Sequence, residues 1–322
     1  MINNLQILRA FAALNVVLFH TIAISDTYSF KTDFFLFIAG WGANGVDIFF
    51  VISGFVMLYT QMNVKRSVYE FLKSRVIRIV PIYWFLTCLI ILIYFLFPSV
   101  FRQLVITPEW TISSFMFLSK LISEKYPIIY IGWTLELEML FYILFGLSLW
   151  FRKLLISLFF ISIGLILTAI LSSDFILLEF LGGLIVALVY KKWNLSKNLG
   201  LLILLMGFIL LSLSINPSEL LMEYRAIFWG LPSVLIVLGT VTALQFRNKV
   251  LEFLGDASYS IYLIQMLSIP LFYKIVSELN LFLNTDILAI FCVLATTAGG
   301  SIVYLFIEKP MTNGLRKRFI KH

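Results

Sequence analysis

The residues able to do chemistry are few, and they stand in apolar surroundings. His20 is one of two histidines in the chain, and the other, His322, is the last residue of a basic tail. Free imidazole titrates near pH 6.5. At neutral pH His20 is therefore the side chain best suited to take a proton from a hydroxyl group without a large change in its acidity. A lone histidine among apolar residues equally serves to hydrogen-bond neighbouring helices. Arg9 precedes it by eleven residues. Three turns of α-helix take about 10.8 residues, so a helix through this segment projects both side chains from nearly one face, about 16 Å apart along its axis. Taken alone, Arg9 also fits an anchor reaching for a membrane interface.

Two further groups have suggestive spacing. Arg75 and Arg78, in VKRSVYEFLKSRVIRIVP, are neighbours on one helical face. Paired guanidinium forks grip phosphate bidentately, and a basic interfacial helix grips lipid headgroups by the same chemistry. In GWTLELEMLFY, Glu136 and Glu138 point in different directions, whereas Glu138 and Tyr142 share a face at i and i+4. That leaves Glu138 free to orient or charge-stabilise an imidazole, or to move a proton. The plainer reading makes both glutamates hydrogen-bonding links between helices. The stretch GWGANGVDIFFVISGFVM is rich in small residues that let helices approach closely, and Asp47 and Ser53 are its notable polar positions. Glu179 has no evident role. Cys88 and Cys292 have no metal-like spacing, and no metal is expected.

The elements that must position these groups are membrane helices. Hydrophobic residues make up 61% of the 322-residue chain and charged residues 13%, about half the charged share of a soluble domain. Phe85 to Phe97, Leu154 to Leu171 and Leu199 to Ile215 contain no Asp, Glu, Lys or Arg. Roughly twenty apolar residues cross a bilayer core. The chain reads as an all-α membrane protein of about ten transmembrane helices, near 5–24, 43–61, 81–99, 128–150, 154–172, 175–191, 199–215, 226–245, 257–277 and 286–307, in one domain over 1–322. Residues 5–24 read as a permanent first span rather than a cleaved signal. Pro81 is expected to start the third span, and Pro232 and Pro270 fall inside spans.

With the N-terminus in the cytoplasm, eighteen of the 24 basic residues fall in cytoplasmic segments and six in outer ones. The positive-inside rule thus predicts both termini cytoplasmic. It also explains the net charge of +7 without a nucleic-acid partner. Against that background an ionisable residue inside a span is a functional candidate, because it costs several kcal/mol unless paired or hydrated.

Together these segments resemble the integral-membrane acyltransferase-3 family, which includes O-antigen and exopolysaccharide O-acetyltransferases. LRAFAALNVVLFH is similar to the family's basic residue, ten residues and histidine, at Arg9 and His20. GVDIFFVISGFVM resembles its second-span block. SRVIRIVPIYW holds its RxxR and proline at Arg75, Arg78 and Pro81, and GWTLELEMLFY its aromatic–glutamate block at Trp133, Leu135, Glu138, Phe141 and Tyr142. LGDASYSIYLIQ and IEKP resemble two later blocks, whereas 150 to 250 matches only as hydrophobic spans. The family often has histidine where this chain has Gln265.

The resemblance implies acyl-CoA, most often acetyl-CoA, as donor and a hydroxyl of a surface or lipid-linked carbohydrate as acceptor. It implies His20 as general base with Glu138 beside it, Arg9, Arg75 and Arg78 as donor-binding residues, and Asp47, Ser53, Trp133 and Tyr142 as substrate contacts. An acyl-histidine intermediate is an alternative course. The implied location is the cytoplasmic (inner) cell membrane. A transporter or flippase of a lipid-linked sugar, acting without acyl chemistry, is the competing class. It lacks support from any two-fold repeat in the sequence. A non-catalytic scaffold would leave His20, Arg9, Glu138 and the RxxR together unexplained.

Overall fold

Inside lipid a backbone must satisfy its own N–H and C=O groups, and uninterrupted apolar runs do so as helices. The computed structural model describes residues 2–32, 34–38, 40–98, 105–215, 223–280 and 283–319, and among them there are helices and no strand. The main helices are α1 (Asn3–Ser25), α2 (Gly45–Asn63), α3 (Val68–Leu96), α4 (Pro108–Phe115), α5 (Ser119–Ile122), α6 (Trp133–Ser148) and α7 (Leu154–Ser172). They continue with α8 (Leu178–Lys192), α9 (Lys197–Ser212), α10 (Leu231–Thr242), α11 (Lys249–Asp256), α12 (Ser258–Glu278), α13 (Thr285–Val303) and α14 (Lys309–Phe319).

Every one of the ten predicted spans contains a helix. Seven helical segments are long and apolar enough to cross a membrane: Asn3–Tyr28, Trp41–Asn63, Val68–Leu96, Tyr130–Ser148, Leu154–Ser172, Ser258–Glu278 and Thr285–Phe319. The helices in the other three predicted spans are shorter. Among these, α10 is continuous with a single π-helical turn, Ala226–Gly230, and Pro232 lies just after that turn. Large apolar side chains cover the outside, with Leu155 81% and Leu171 85% exposed, as a lipid-facing surface requires.

The third span begins earlier than Pro81. α3 starts at Val68, and Pro81 lies in its interior. The start is set by a capping box: the Glu70 N–H donates to Ser67 Oγ at 3.3 Å, and the Ser67 N–H donates to the Glu70 carboxylate at 2.9 Å. Pro81 removes one hydrogen bond without ending the helix. As a consequence Arg75 and Arg78 ride on the same rod as the apolar span.

α1 is the central helix, packed against α2, α11, α12 and α13. Its approach to α2 depends on Gly45, where any Cβ would collide with the Ala12 carbonyl. α2 in turn meets α8 backbone to backbone at Gly54 and Gly183. Loops and helix ends gather in two sets. In one, Asn4 donates to the Leu244 carbonyl at 3.0 Å, and Lys191 reaches Asn63 at 3.0 Å. In the other, Lys120 pairs with Asp174 at 3.2 Å, and the Phe34 and Phe35 N–H groups donate to Asp286.

Candidate active site

A cavity of about 540 Å³ opens at the end of the bundle where α1 begins, α2 ends, α3 begins and α11 meets α12. That is the size of a small-ligand site. Arg9 enters from α1, Ser53 from α2, Arg75 and Arg78 from α3, and Glu138 and Tyr142 from α6. Six of the residues singled out in sequence thus share one wall, although they come from segments up to 133 positions apart (from Arg9 to Tyr142). Aromatic side chains, among them Phe49, Tyr259 and Tyr262, complete it.

Arg9, Arg75 and Glu138 are each held. Arg9 Nη2 donates to Ser258 Oγ at 3.1 Å, which fixes α1 against the start of α12. Arg75 Nε donates to Ser74 Oγ at 3.2 Å, and its guanidinium lies 5.8 Å from the Phe71 ring centre and 6.0 Å from that of Tyr142. Glu138 Oε1 accepts from Ser53 Oγ at 2.7 Å and also from the Tyr142 hydroxyl. The i, i+4 relation between Glu138 and Tyr142 is therefore realised as a bond. Ser53 and Tyr142 bind the carboxylate, and His20 does not. Among the described residues the ion pairs are Lys120–Asp174 and Arg225–Asp47. No guanidinium in the cavity is neutralised by a partnered carboxylate, which leaves the site receptive to anions.

Three expected site residues lie elsewhere. His20 is only partly buried and stands edge-on to the Phe19 ring, 4.8 Å between centres. It shares the Arg9 face of α1 but does not line the cavity. Gly45 against Ala12 and Ser258 against Arg9 set the registers of α2 and α12 on α1. Val46 and Tyr262, the lining residues farthest along, then sit near the level of Ala12 and Ala13, about two helical turns or ~11 Å short of His20. Asp47, expected among the substrate contacts, is wholly buried and accepts from Arg225 Nη2 at 2.7 Å and Nε at 3.0 Å. Trp133 opens α6 and packs on the apolar core away from the cavity. Glu136 faces the other way from Glu138 and accepts from the N–H groups of Ser119 at 2.7 Å and Lys120 at 3.3 Å.

Two features were not singled out from sequence. Arg316, on α14, lines the cavity with Arg9, Arg75 and Arg78. It stands among Lys317 and Arg318 in a basic tail, and only its place on the helix distinguishes it from them. Arg225 is the partner of Asp47 across 178 positions, a separation that no local spacing reveals. Gln265 is fully buried, and neither its oxygen nor its nitrogen has a hydrogen-bond partner.

Comparison with known proteins gives the family of the chain. A family model described as an acyltransferase domain matches residues 2–306. The exopolysaccharide production protein ExoZ of Rhizobium meliloti (strain 1021) is 30% identical over 301 residues, 86% of this chain and 92% of that protein. ORF330 of Acidianus two-tailed virus, named provisionally as an acetyltransferase, is 26% identical over 284 residues, 81% of each chain. No solved structure gives a significant match. With a family match over nearly its whole length and apolar helices able to cross a bilayer, the chain is a membrane protein and belongs to the acyltransferase-3 family.

Proposed function

We propose that this acyltransferase moves an acyl group, most often acetyl, from acyl-CoA to a hydroxyl of an exopolysaccharide or lipid-linked sugar. The observation that carries the reading is the cavity in which Arg9, Arg75 and Arg78 converge, none of them in a salt bridge among the described residues, beside aromatic walls. A polyanionic nucleotide with a long neutral arm suits such a site. The guanidinium forks take the phosphates, and the apolar remainder takes the arm. ExoZ, by its name a protein of exopolysaccharide production, supports a carbohydrate as acceptor.

In this reading the cavity end of the bundle is cytoplasmic, as the eighteen-to-six bias of basic residues predicts, and ten helices cross the bilayer with both termini on that side. The donor enters with its phosphates on the arginines, and its thioester extends along the Arg9 face of α1. His20, three turns from Arg9, accepts the proton of the sugar hydroxyl as the oxygen attacks the thioester carbonyl, and the thiolate of CoA leaves. Glu138 acts from inside the cavity, its charge held in place by Ser53 and Tyr142. Asp47 contributes by fixing Arg225. The advance from the Val46 level to His20 requires the arm to part the helices around Ala13 and Val17.

The test is acyl-CoA-dependent release of free thiol by the purified protein, with and without candidate glycans. Glycan-stimulated release supports the reading. Absence of release with every acyl-CoA and glycan offered, from folded protein, rejects it in favour of transport without chemistry.

A further inference from the structure

Four guanidinium groups line the cavity, yet three were anticipated. Arg316 is the fourth, and it reaches the site from α14, the last described helix. This helix is docked rather than loose. Phe319 lies under the Lys73 ammonium of α3, 5.7 Å from the ring centre, and the turn leading into α14 holds Glu308, which accepts from Ser260 Oγ at 2.6 Å. Arg316 is itself exposed, whereas Arg9, Arg75 and Arg78 are partly buried. It is the outermost cation of the set.

The charge balance is informative. Glu138 and Asp256 are the carboxylates on the cavity wall, so four guanidinium groups leave a surplus of two positive charges. A phosphomonoester carries about −1.5 to −2 at neutral pH. Without Arg316 the surplus falls to one, so this residue supplies half of the wall's net positive charge for a donor that carries both a diphosphate and a phosphomonoester.

Resting on the acyl-CoA reading above, we infer that Arg316 binds the ribose phosphomonoester of the donor and makes the enzyme discriminate against thioesters that lack it. Acyl-CoA carries its thioester at one end, its diphosphate between, and the phosphomonoester at the other end. With the thioester directed along α1, the outermost phosphate meets the outermost guanidinium. The same fork also fits the phosphate of an anionic lipid at the membrane surface, and the experiment separates the two sources.

Full-length protein is assayed for thiol release in phosphatidylcholine vesicles, with and without phosphatidylglycerol. The donors are acetyl-CoA and 3′-dephospho-acetyl-CoA, and the proteins are wild type, Arg316→Gln and Arg316→Lys. Wild type is expected to show a KM about tenfold or more higher for the dephospho donor, the factor corresponding to one charge-assisted contact. Arg316→Gln raises the KM for acetyl-CoA to the dephospho value and leaves the latter unchanged. Arg316→Lys recovers part of the preference, and anionic lipid changes none of this. Equal shifts for both donors, no shift for either, or an effect present only with phosphatidylglycerol overturns the assignment. A wild type that uses both donors equally removes this inference and leaves the acyl-CoA reading standing. A wild type inert with both removes the acyl-CoA reading as well.

Discussion

Replacing Arg75 by alanine removes the cavity cation with the most support around it. Its guanidinium is oriented by Ser74 and stacks near the rings of Phe71 and Tyr142, close to the Glu138 carboxylate that Tyr142 binds. A charge-assisted hydrogen bond from a guanidinium to phosphate contributes about 1.5–3 kcal/mol. At about 1.4 kcal/mol per factor of ten, the loss corresponds to a KM for acyl-CoA raised roughly 10- to 100-fold. The two ring contacts are each worth about 0.5–1 kcal/mol, so a modest fall in thermal stability accompanies the kinetic change. The assay is thiol release in detergent, with donor and acceptor varied separately and folding checked by the melting transition. The donor KM is expected to rise while the acceptor KM stays within about twofold. Arg75→Lys restores charge but not the planar fork, and its donor KM falls between the two. An unchanged donor KM in a folded Arg75→Ala protein refutes the reasoning and returns Arg75 to the role of an interfacial lipid anchor.

Three stability predictions follow from buried groups. Asp47→Ala leaves the partly buried Arg225 without its carboxylate partner, a change that costs up to about 3–5 kcal/mol, the figure for a fully buried pair; the melting temperature should fall, and an unaffected one would show that the pair is dispensable. Gln265→Leu removes an amide whose two polar atoms are buried and unbonded, each such group costing about 1–3 kcal/mol. The variant should melt at least as high as wild type without ligand, and a clear loss of stability would reveal a partner for the amide. Gly54→Ala drives a methyl group into the Phe180 carbonyl and the Gly183 Cα. Forced overpacking of this kind costs about 1–3 kcal/mol, to be read as a lower melting temperature, and a neutral result would mean that α2 and α8 separate easily.

Much of the architecture is legible in the chain because lipid imposes one solution on apolar runs. The spans near 5–24 and 154–172 coincide with α1 and α7 to within a few residues. Spacing sets the helical phase of Arg75 with Arg78 and of Glu138 with Tyr142, whereas the grouping of these four with Arg9 and Ser53 as site residues rests on the resemblance to the family. What escaped is decided by contacts distant in sequence or by competing local signals. The SVYE capping box lies in plain view at Ser67–Glu70, yet its charged surroundings suggest a loop, and Pro81 suggests a later start. Arg225 is found by Asp47 only once α2 and the turn before α10 are packed together. Arg316 looks like any member of a basic tail until α14 docks on α3. Periodicity fixes the direction in which His20 projects, but the neighbours that close the space between it and the cavity belong to α2 and α12, and no spacing within α1 reports on them.

His20 carries the central claim, and its direct test is the rate of thiol release by His20→Ala under saturating acetyl-CoA and glycan. The variant must insert and melt like wild type. General-base assistance is typically worth about 10²–10⁴ in rate, so kcat is predicted to fall by at least a hundredfold while the donor KM, set in the arginine-lined cavity, is preserved. Wild-type turnover by a well-folded His20→Ala protein contradicts the account.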